Sequence, residues 1–100
     1  MTDLTTFNTV KKSNLKKLTL YVPIVARVHG SHHPEFYDVQ KVFDEMTQKI
    51  KQAGRSMPQL SAEFAQLREI TKNYLVPDDV CESYEAVYHM LSEMDQAYQA

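Results

Sequence analysis

Residues 25–35 read Val-Ala-Arg-Val-His-Gly-Ser-His-His-Pro-Glu, and this stretch decides the fold because it ends one predicted helix and begins another. Gly30 interrupts the helical pattern, whereas Pro34 and Glu35 suit the first turn of a helix. Before the break, apolar residues recur at helical spacing on one face that ends in a histidine: Leu15, Leu18, Val22, Val25 and His29. The same spacing returns after it: Phe36, Val39, Phe43, Met46 and Ile50. Two helices joined by a short turn are therefore predicted.

Two further groups of helix-breaking residues divide the rest of the chain. They lie at residues 54–58 and 74–77, so the breaks leave four segments with a helical period. The predicted helices span about residues 13–29, 34–53, 59–74 and 79–98, and Asp79 and Glu82 have capping-box spacing at the start of the last one. Short connections make neighbouring helices antiparallel. We therefore expect an all-α, up-and-down four-helix bundle, with one domain at residues 13–100 after an N-terminal arm or short helix at residues 1–12.

The composition limits the class of protein. The chain has 100 residues, of which 43% are apolar and 24% charged, and its net charge is −2. This balance is typical of one globular domain and gives no field that would attract nucleic acid or an anionic membrane. The single cysteine, Cys81, excludes an intramolecular disulfide and suits a reducing cytoplasm. Neither a membrane-spanning apolar run nor a hydrolase or phosphate-loop motif occurs. We expect a cytoplasmic protein that is not an enzyme and binds neither nucleic acid nor membrane.

The histidines have the clearest potential for chemistry. His29, His32 and His33 lie close together in sequence, and neutral imidazole is a ligand for zinc, iron and copper. A metal site that uses these three residues is one hypothesis. The competing interpretation is structural: His32 and His33 would cap the second helix, and His29 would be a core histidine bonded to a neighbour. Cys81 falls on an apolar face and is expected to be a small buried side chain rather than a reactive thiol.

Three stretches of the chain resemble a known family. Residues 25–35 are similar to the V-x-R-V-H-G-x-H-H-P-E segment of hemerythrin-like proteins of the RIC type, which repair iron centres. Residues 67–71 and residues 77–88 resemble that family's L-x-x-x-T and P-x-x-x-C-x-x-(Y/W)-x-x-x-Y stretches. The resemblance covers about residues 8–100 and implies a hemerythrin-like four-helix bundle. It also implies a relationship to proteins that hold a non-haem di-iron centre and restore iron–sulfur clusters damaged by nitric oxide or oxidants.

The family's metal ligands are carried over one position at a time. The resemblance implies histidines and bridging glutamates on all four helices, and His29 matches the ligand that ends the R-V-H motif. The remaining ligand positions fall near Asn8, residues 52–56 and Met57, and past Ala100, where this sequence has no matching ligand. A single imidazole does not hold two iron ions, which need bridging carboxylates. We therefore expect a shortened, degenerate relative without a cofactor.

Two functions are then open. The first is a metal-free protein-interaction module in the nitrosative or oxidative stress response, whose partner is another protein or a second copy of the chain. Apolar residues in the last segment are candidates for a bare surface that would favour a homodimer: Tyr88, Met90, Met94 and Tyr98. The alternative is a metal-binding repair, iron-storage or sensing protein, with a site shared between two chains around His29, His32, His33 and Glu35.

Overall fold

The computed structural model describes residues 4–99, and the side chains of residues 6–99. These residues form helices and no strand: α1 (Leu4–His29), α2 (Glu35–Ala53), α3 (Ser61–Thr71) and α4 (Glu82–Gln99). Within the described range, none of the helices combines the length and the apolar character that crossing a membrane requires. The molecule measures 37 × 21 × 21 Å. The prediction of an all-helical fold with four helices is confirmed.

Contacts between side chains show that α1 and α4 run antiparallel and connect the other neighbouring helices. At one end of the α1–α4 pair, the ring of Phe7 packs edge-on against that of Tyr98, with 5.6 Å between the ring centroids. At the other end of the same pair, His29 contacts Cys81. The α2–α3 and α3–α4 pairs are each joined by an ion pair, Lys49–Glu63 and Arg68–Asp95 respectively. These contacts are consistent with an up-and-down bundle.

α1 begins much earlier than predicted. The sequence predicts an arm or a separate short helix at residues 1–12, but residues 4–12 are the first turns of α1, and residues 1–3 lie outside the described range. Phe7 gives the physical reason, because its side chain is fully buried. Burying one such ring contributes about 2 kcal/mol, which offsets the tendency of a polar helix end to fray. Further along α1, the buried Asn14 donates a hydrogen bond from Nδ2 to the carbonyl of Met90 over 3.2 Å.

The turn between α1 and α2 requires glycine at position 30. A Cβ atom there would collide with the carbonyl of Ala26 and the ring of Tyr37, so the chain can turn at this point only without a side chain. The first turn of α2 has no side-chain hydrogen bond at its N-terminus. The interpretation that His32 and His33 cap this helix through their side chains is therefore wrong.

α3 ends earlier than predicted, at Thr71 rather than at residue 74. The next three residues, Lys72, Asn73 and Tyr74, have positive φ angles of 54°, 61° and 62°. Left-handed backbone is unfavourable for residues other than glycine, so three in a row end the helix at a cost. Hydrogen bonds from the N–H of Asn73 to the carbonyl of Arg68 (2.8 Å) and from the N–H of Tyr74 to Oγ1 of Thr71 (2.7 Å) stabilise the turn.

α4 begins at Glu82 rather than at residue 79. The N–H of Glu85 donates to the carbonyl of Cys81 over 3.2 Å, which places Cys81 at the start of the helix. The carboxylate of Asp79 lies 3.0 Å from His33 instead. The predicted capping box is therefore not formed, because its aspartate pairs with another element.

The interior between the helices is apolar, and α4 contributes a large part of it. Tyr88, Met90, Met94 and Tyr98 are all buried, so the prediction that they form a bare surface is wrong. Since α4 packs against both α1 and α3, several of its sides face the core. The exposed large apolar residues lie elsewhere: Leu20, Ile24, Val28, Tyr37 and Leu75.

Candidate functional site

Polar side chains gather at the end of the bundle where α1 ends and α4 begins. We call this group the polar cluster; its members are His29, His33, Glu35, Asp79, Cys81, Tyr84 and Tyr88. His29 is the last residue of α1, His33 lies in the turn that follows, and Glu35 is the first residue of α2. The loop before α4 and the first turns of that helix supply the rest, because α4 runs antiparallel to α1. Residues more than forty positions apart in sequence therefore meet here.

His33 bridges two carboxylates. Its Nδ1 lies 3.0 Å from Oε1 of Glu35, and its Nε2 lies 3.0 Å from Oδ1 of Asp79. A carboxylate only accepts, so both bonds form together when the ring carries a proton on each nitrogen. Asp79 is largely exposed, whereas the ring of His33 is mostly buried. The bridge therefore fastens the loop before α4 to the start of α2.

His29 pairs with the cysteine. Its Nε2 lies 3.1 Å from Sγ of Cys81. The expectation that His29 is bonded to a neighbour agrees with this contact, although the ring is only half-buried, at the edge of the core. The expectation that Cys81 is buried is wrong, because its side chain is exposed at the N-terminus of α4. The sequence period places position 81 on an apolar face only if the helix begins before it, which it does not.

Two buried tyrosines form the inner wall of the polar cluster. The ring of Tyr84 stands edge-on to the rings of His29 and His33, with 5.6 Å between centroids in each pair. Its hydroxyl donates to Oε1 of Glu35 over a long 3.4 Å and lies 3.0 Å from the hydroxyl of Tyr88. Burial raises the pKa of Tyr84 and of Tyr88, so both stay protonated at neutral pH.

A cleft of about 600 Å³ opens beside the polar cluster. Glu35 and Tyr88 belong to both, and the other lining residues come from the end of α3 and the loop that follows it: Ile70, Thr71, Lys72, Leu75, Val76, Pro77 and Asp78. This volume is within the range of small-molecule sites in proteins. No sequence pattern predicts this cleft, because its walls come from three separate parts of the chain.

The three histidines predicted as metal ligands share no hydrogen-bond partner among the described contacts. His29 and His33 both pack edge-on against Tyr84 but have different partners, and His32 is exposed with no role in the polar cluster. Over residues 4–99, no group of three or more His, Cys, Asp or Glu side chains is arranged to hold a metal ion. That His29, His32 and His33 bind metal stays a prediction.

A second polar group ties α3 to α4 and was missed by the sequence reasoning. The buried carboxylate of Asp95 accepts two hydrogen bonds from Nη1 of Arg68, at 2.7 and 2.9 Å. It also accepts one from the hydroxyl of Tyr74 at 2.8 Å, and one from Nε2 of Gln99 at 3.3 Å. Burial, followed by the bond to Asp95, raises the pKa of Tyr74. The groups that donate to this carboxylate all come from α3, α4 or the turn after α3. We therefore interpret the Asp95 group as structural.

Comparison with known proteins gives one informative match. The chain is similar to an iron–sulfur cluster repair protein. This protein, named ScdA, comes from Staphylococcus haemolyticus, is 23% identical, and is matched over 90% of the present chain but only 54% of its own length. The chain therefore spans about half the length of the curated relative it matches. No protein-family model and no solved structure matches the chain.

This match concerns the relationship of the chain to a family of proteins. It supports a relationship to iron–sulfur cluster repair proteins, in agreement with the resemblance carried by residues 25–35. The matched stretch has 121 residues although the chain has 100, so the alignment contains insertions relative to this chain.

Proposed function

We propose that this chain is a metal-free relative of iron–sulfur cluster repair proteins and acts by binding an acidic helix of another protein. The observation that carries the proposal is the outer face of α1, where exposed apolar residues lie among positive charges. The similarity to a repair protein supports the relationship, and the chemistry of the buried carboxylates supports the loss of metal.

The carboxylates of the interior do not suit a di-iron centre. Such a centre needs bridging carboxylates between the helices, but the buried acids are Glu63 and Asp95, and each is paired with a cation, Lys49 or Arg68. In the polar cluster, Glu35 is bonded to His33 and Tyr84. Binding iron at Asp95 would break an ion pair that the fold uses, and Glu63, although its Oε1 has no hydrogen-bond partner among the described residues, keeps its other oxygen on Lys49.

The outer face of α1 has the pattern of a helix-binding surface. Leu20, Ile24 and Val28 are spaced by one turn each and are 60%, 39% and 57% exposed. Anchors at this spacing are how one helix docks on another. Lys16 and Arg27 are exposed on the same face of the helix.

The charge of α1 selects the partner. Between Leu4 and His29 the helix has five Lys and Arg residues and no Asp or Glu, whereas the net charge of the whole chain is −2. Two copies that met through α1 would bring two basic helices together, which charge repulsion opposes. A partner helix with apolar residues flanked by Glu or Asp would complement both the apolar and the basic groups. We therefore infer a heterologous partner rather than a homodimer.

The loss of metal is tested by reconstitution. The chain and His29→Ala are incubated anaerobically with ferrous iron or with zinc, desalted, and analysed for metal. We expect less than about 0.1 metal ion per chain for both. A metal content above this limit that drops in His29→Ala would overturn the metal-free part of the proposal, and about one ion for every two chains would favour the shared-site alternative.

The docking surface is tested with a helical peptide that carries Leu at one-turn spacing and Glu on its flanks, and with the same peptide carrying Lys in place of Glu. Isothermal titration calorimetry should detect binding of the acidic peptide only. The substitution Ile24→Asp should weaken the affinity for this peptide at least about tenfold. Leu75→Asp is the matched control, since Leu75 is 67% exposed but lies outside α1. Equal binding of both peptides, or of anionic vesicles in place of the acidic peptide, contradicts the proposal.

A further inference from the structure

The cleft beside the polar cluster has a floor made of hydrogen-bond acceptors. Glu35 lines it, and Oε1 of that carboxylate already accepts from His33 and Tyr84. If Tyr84 donates to Glu35, then the 3.0 Å contact between the two tyrosine hydroxyls is made by the proton of Tyr88. This arrangement forms both bonds at once and leaves lone pairs on the oxygen of Tyr88, which lines the cleft although it is buried.

In the wall beside this floor, the one hydroxyl group is not a free donor. The hydroxyl of Thr71 donates to the carbonyl of Leu67 over 2.7 Å and accepts from the N–H of Tyr74 over 2.7 Å, so both of its functions are used. Ile70, Leu75, Val76 and Pro77 are apolar. A ligand would therefore find acceptors at the floor and apolar surface along the side.

The charges of the lining residues favour a cation. Glu35 and Asp78 are acidic, and Lys72 is the basic residue among the lining residues. Lys72 is exposed, and a lysine at a rim keeps its ammonium group in water while its stem covers apolar surface. Among the lining residues the acidic side chains outnumber the basic one, and His33 engages only Oε1 of Glu35.

The wall that carries the apolar residues is held in a costly backbone conformation. It starts with Lys72, Asn73 and Tyr74, whose φ angles are all positive. Strained backbone of this kind persists where the surrounding structure fixes it, and it is concentrated at binding sites. Here Tyr74 is fixed from both ends, by the bond of its N–H to Thr71 and by the bond of its hydroxyl to Asp95.

We propose that the cleft between Glu35, Tyr88 and the 75–78 loop binds an aliphatic cation, with its ammonium or guanidinium group on Glu35 and Tyr88 and its apolar stem against Leu75 and Val76. The same chemistry is offered by a free amine and by the lysine or arginine side chain of a protein. The proposal is independent of the α1 surface, because the two share no residue.

The test is a titration followed by amide chemical shifts in NMR spectra of the full chain. The probes are n-pentylammonium, the neutral 1-pentanol and the anionic pentanoate. We expect saturable shifts of residues 70–78 with n-pentylammonium at millimolar concentration, and binding at least about tenfold weaker for the other two probes. N-acetyl-lysine-methylamide forms a further arm. Tighter binding than the free amine identifies a protein side chain as the ligand, and weaker binding identifies a small amine.

Variants locate the ligand. Glu35→Gln should weaken the binding of n-pentylammonium at least about tenfold. Asp38 is an exposed acid on the same helix, and Asp38→Asn should leave the affinity unchanged. If Glu35→Gln does not fold, Leu75→Ala serves, because that side chain is exposed; it should weaken binding about threefold, and Leu20→Ala on α1 is its control. Equal affinity for pentanol and n-pentylammonium, shifts confined to α1, or no saturable shift overturns the proposal. None of these outcomes depends on whether α1 binds an acidic helix.

Discussion

Removing the carboxylate of Asp95 should destabilise the protein by about 3 kcal/mol. Asp95→Ala deletes the acceptor of Arg68 and Tyr74. The bond from the Tyr74 hydroxyl is a hydrogen bond to a charged group, which is worth about 1.5–3 kcal/mol. Arg68 is 36% exposed and regains water when the pair is lost, so its part is about 1 kcal/mol or less.

The assay is urea denaturation followed by far-ultraviolet circular dichroism at pH 7. A loss of about 3 kcal/mol lowers the folded-to-unfolded ratio by about 100-fold. Asp95→Asn keeps the volume and one carbonyl acceptor, and we expect it to cost about half as much. Tyr74→Phe should cost about 2 kcal/mol, and less than that when it is added to Asp95→Ala, because the two groups share one bond.

This reasoning is refuted if Asp95→Ala lowers the free energy of unfolding by less than about 1 kcal/mol while the slope of that free energy against urea concentration stays unchanged. Strict additivity of Tyr74→Phe and Asp95→Ala would also refute it, since independent residues add and bonded residues do not. Either outcome would mean that α3 and α4 are held together by apolar packing, without help from the carboxylate.

Four further predictions follow from individual contacts. Phe7→Ala should cost about 3 kcal/mol and speed the hydrogen exchange of amides in residues 4–10; unchanged exchange would contradict the burial of this ring. Lys72→Gly should stabilise the chain by about 1 kcal/mol in the same urea assay, because glycine tolerates a positive φ, and a loss of stability would argue against that backbone. Cys81 should react with a thiol reagent in the native protein within about a factor of ten of the unfolded rate; strong protection would show that it is buried. Because the folded state raises the pKa of Tyr74 and Tyr84, it holds their protons where the unfolded chain releases them. The stability that these two tyrosines contribute should therefore be constant below pH of about 10 and fall above it, and the fall should be smaller in Tyr84→Phe.

The helices could be predicted where apolar spacing is dense. α2 lies within one residue of its predicted bounds, because Phe36, Val39, Phe43, Met46 and Ile50 mark its buried face without a gap. The start of α1 could not be predicted in this way, since Phe7 is separated from Leu15 by mostly polar residues. A single buried aromatic residue does not produce the repeated apolar spacing from which a helix is predicted.

The candidate site was predicted only in part, for a related reason. The motif at residues 25–35 pointed to His29 and His33 as residues with chemistry, but their partners Cys81 and Asp79 depend on how α4 is placed against α1. Short-range patterns do not contain that information. Asp79 in particular has a credible local role as a helix cap, and the tertiary contact to His33 overrides it. The cleft is the extreme case, because it exists only between elements.

The polar bonds between helices have a consequence for alignment. Apolar side chains can tolerate a shift of one helix along another by a full turn, since an apolar contact with one residue is replaced by an apolar contact with the residue one turn away. Asn14, Glu63 and Asp95 each join a different pair of helices and do not tolerate it, because a shift would leave a buried polar group without a partner. Replacing all three by leucine would, by this reasoning, give a protein that is still helical and compact but that samples several sliding states instead of a single one.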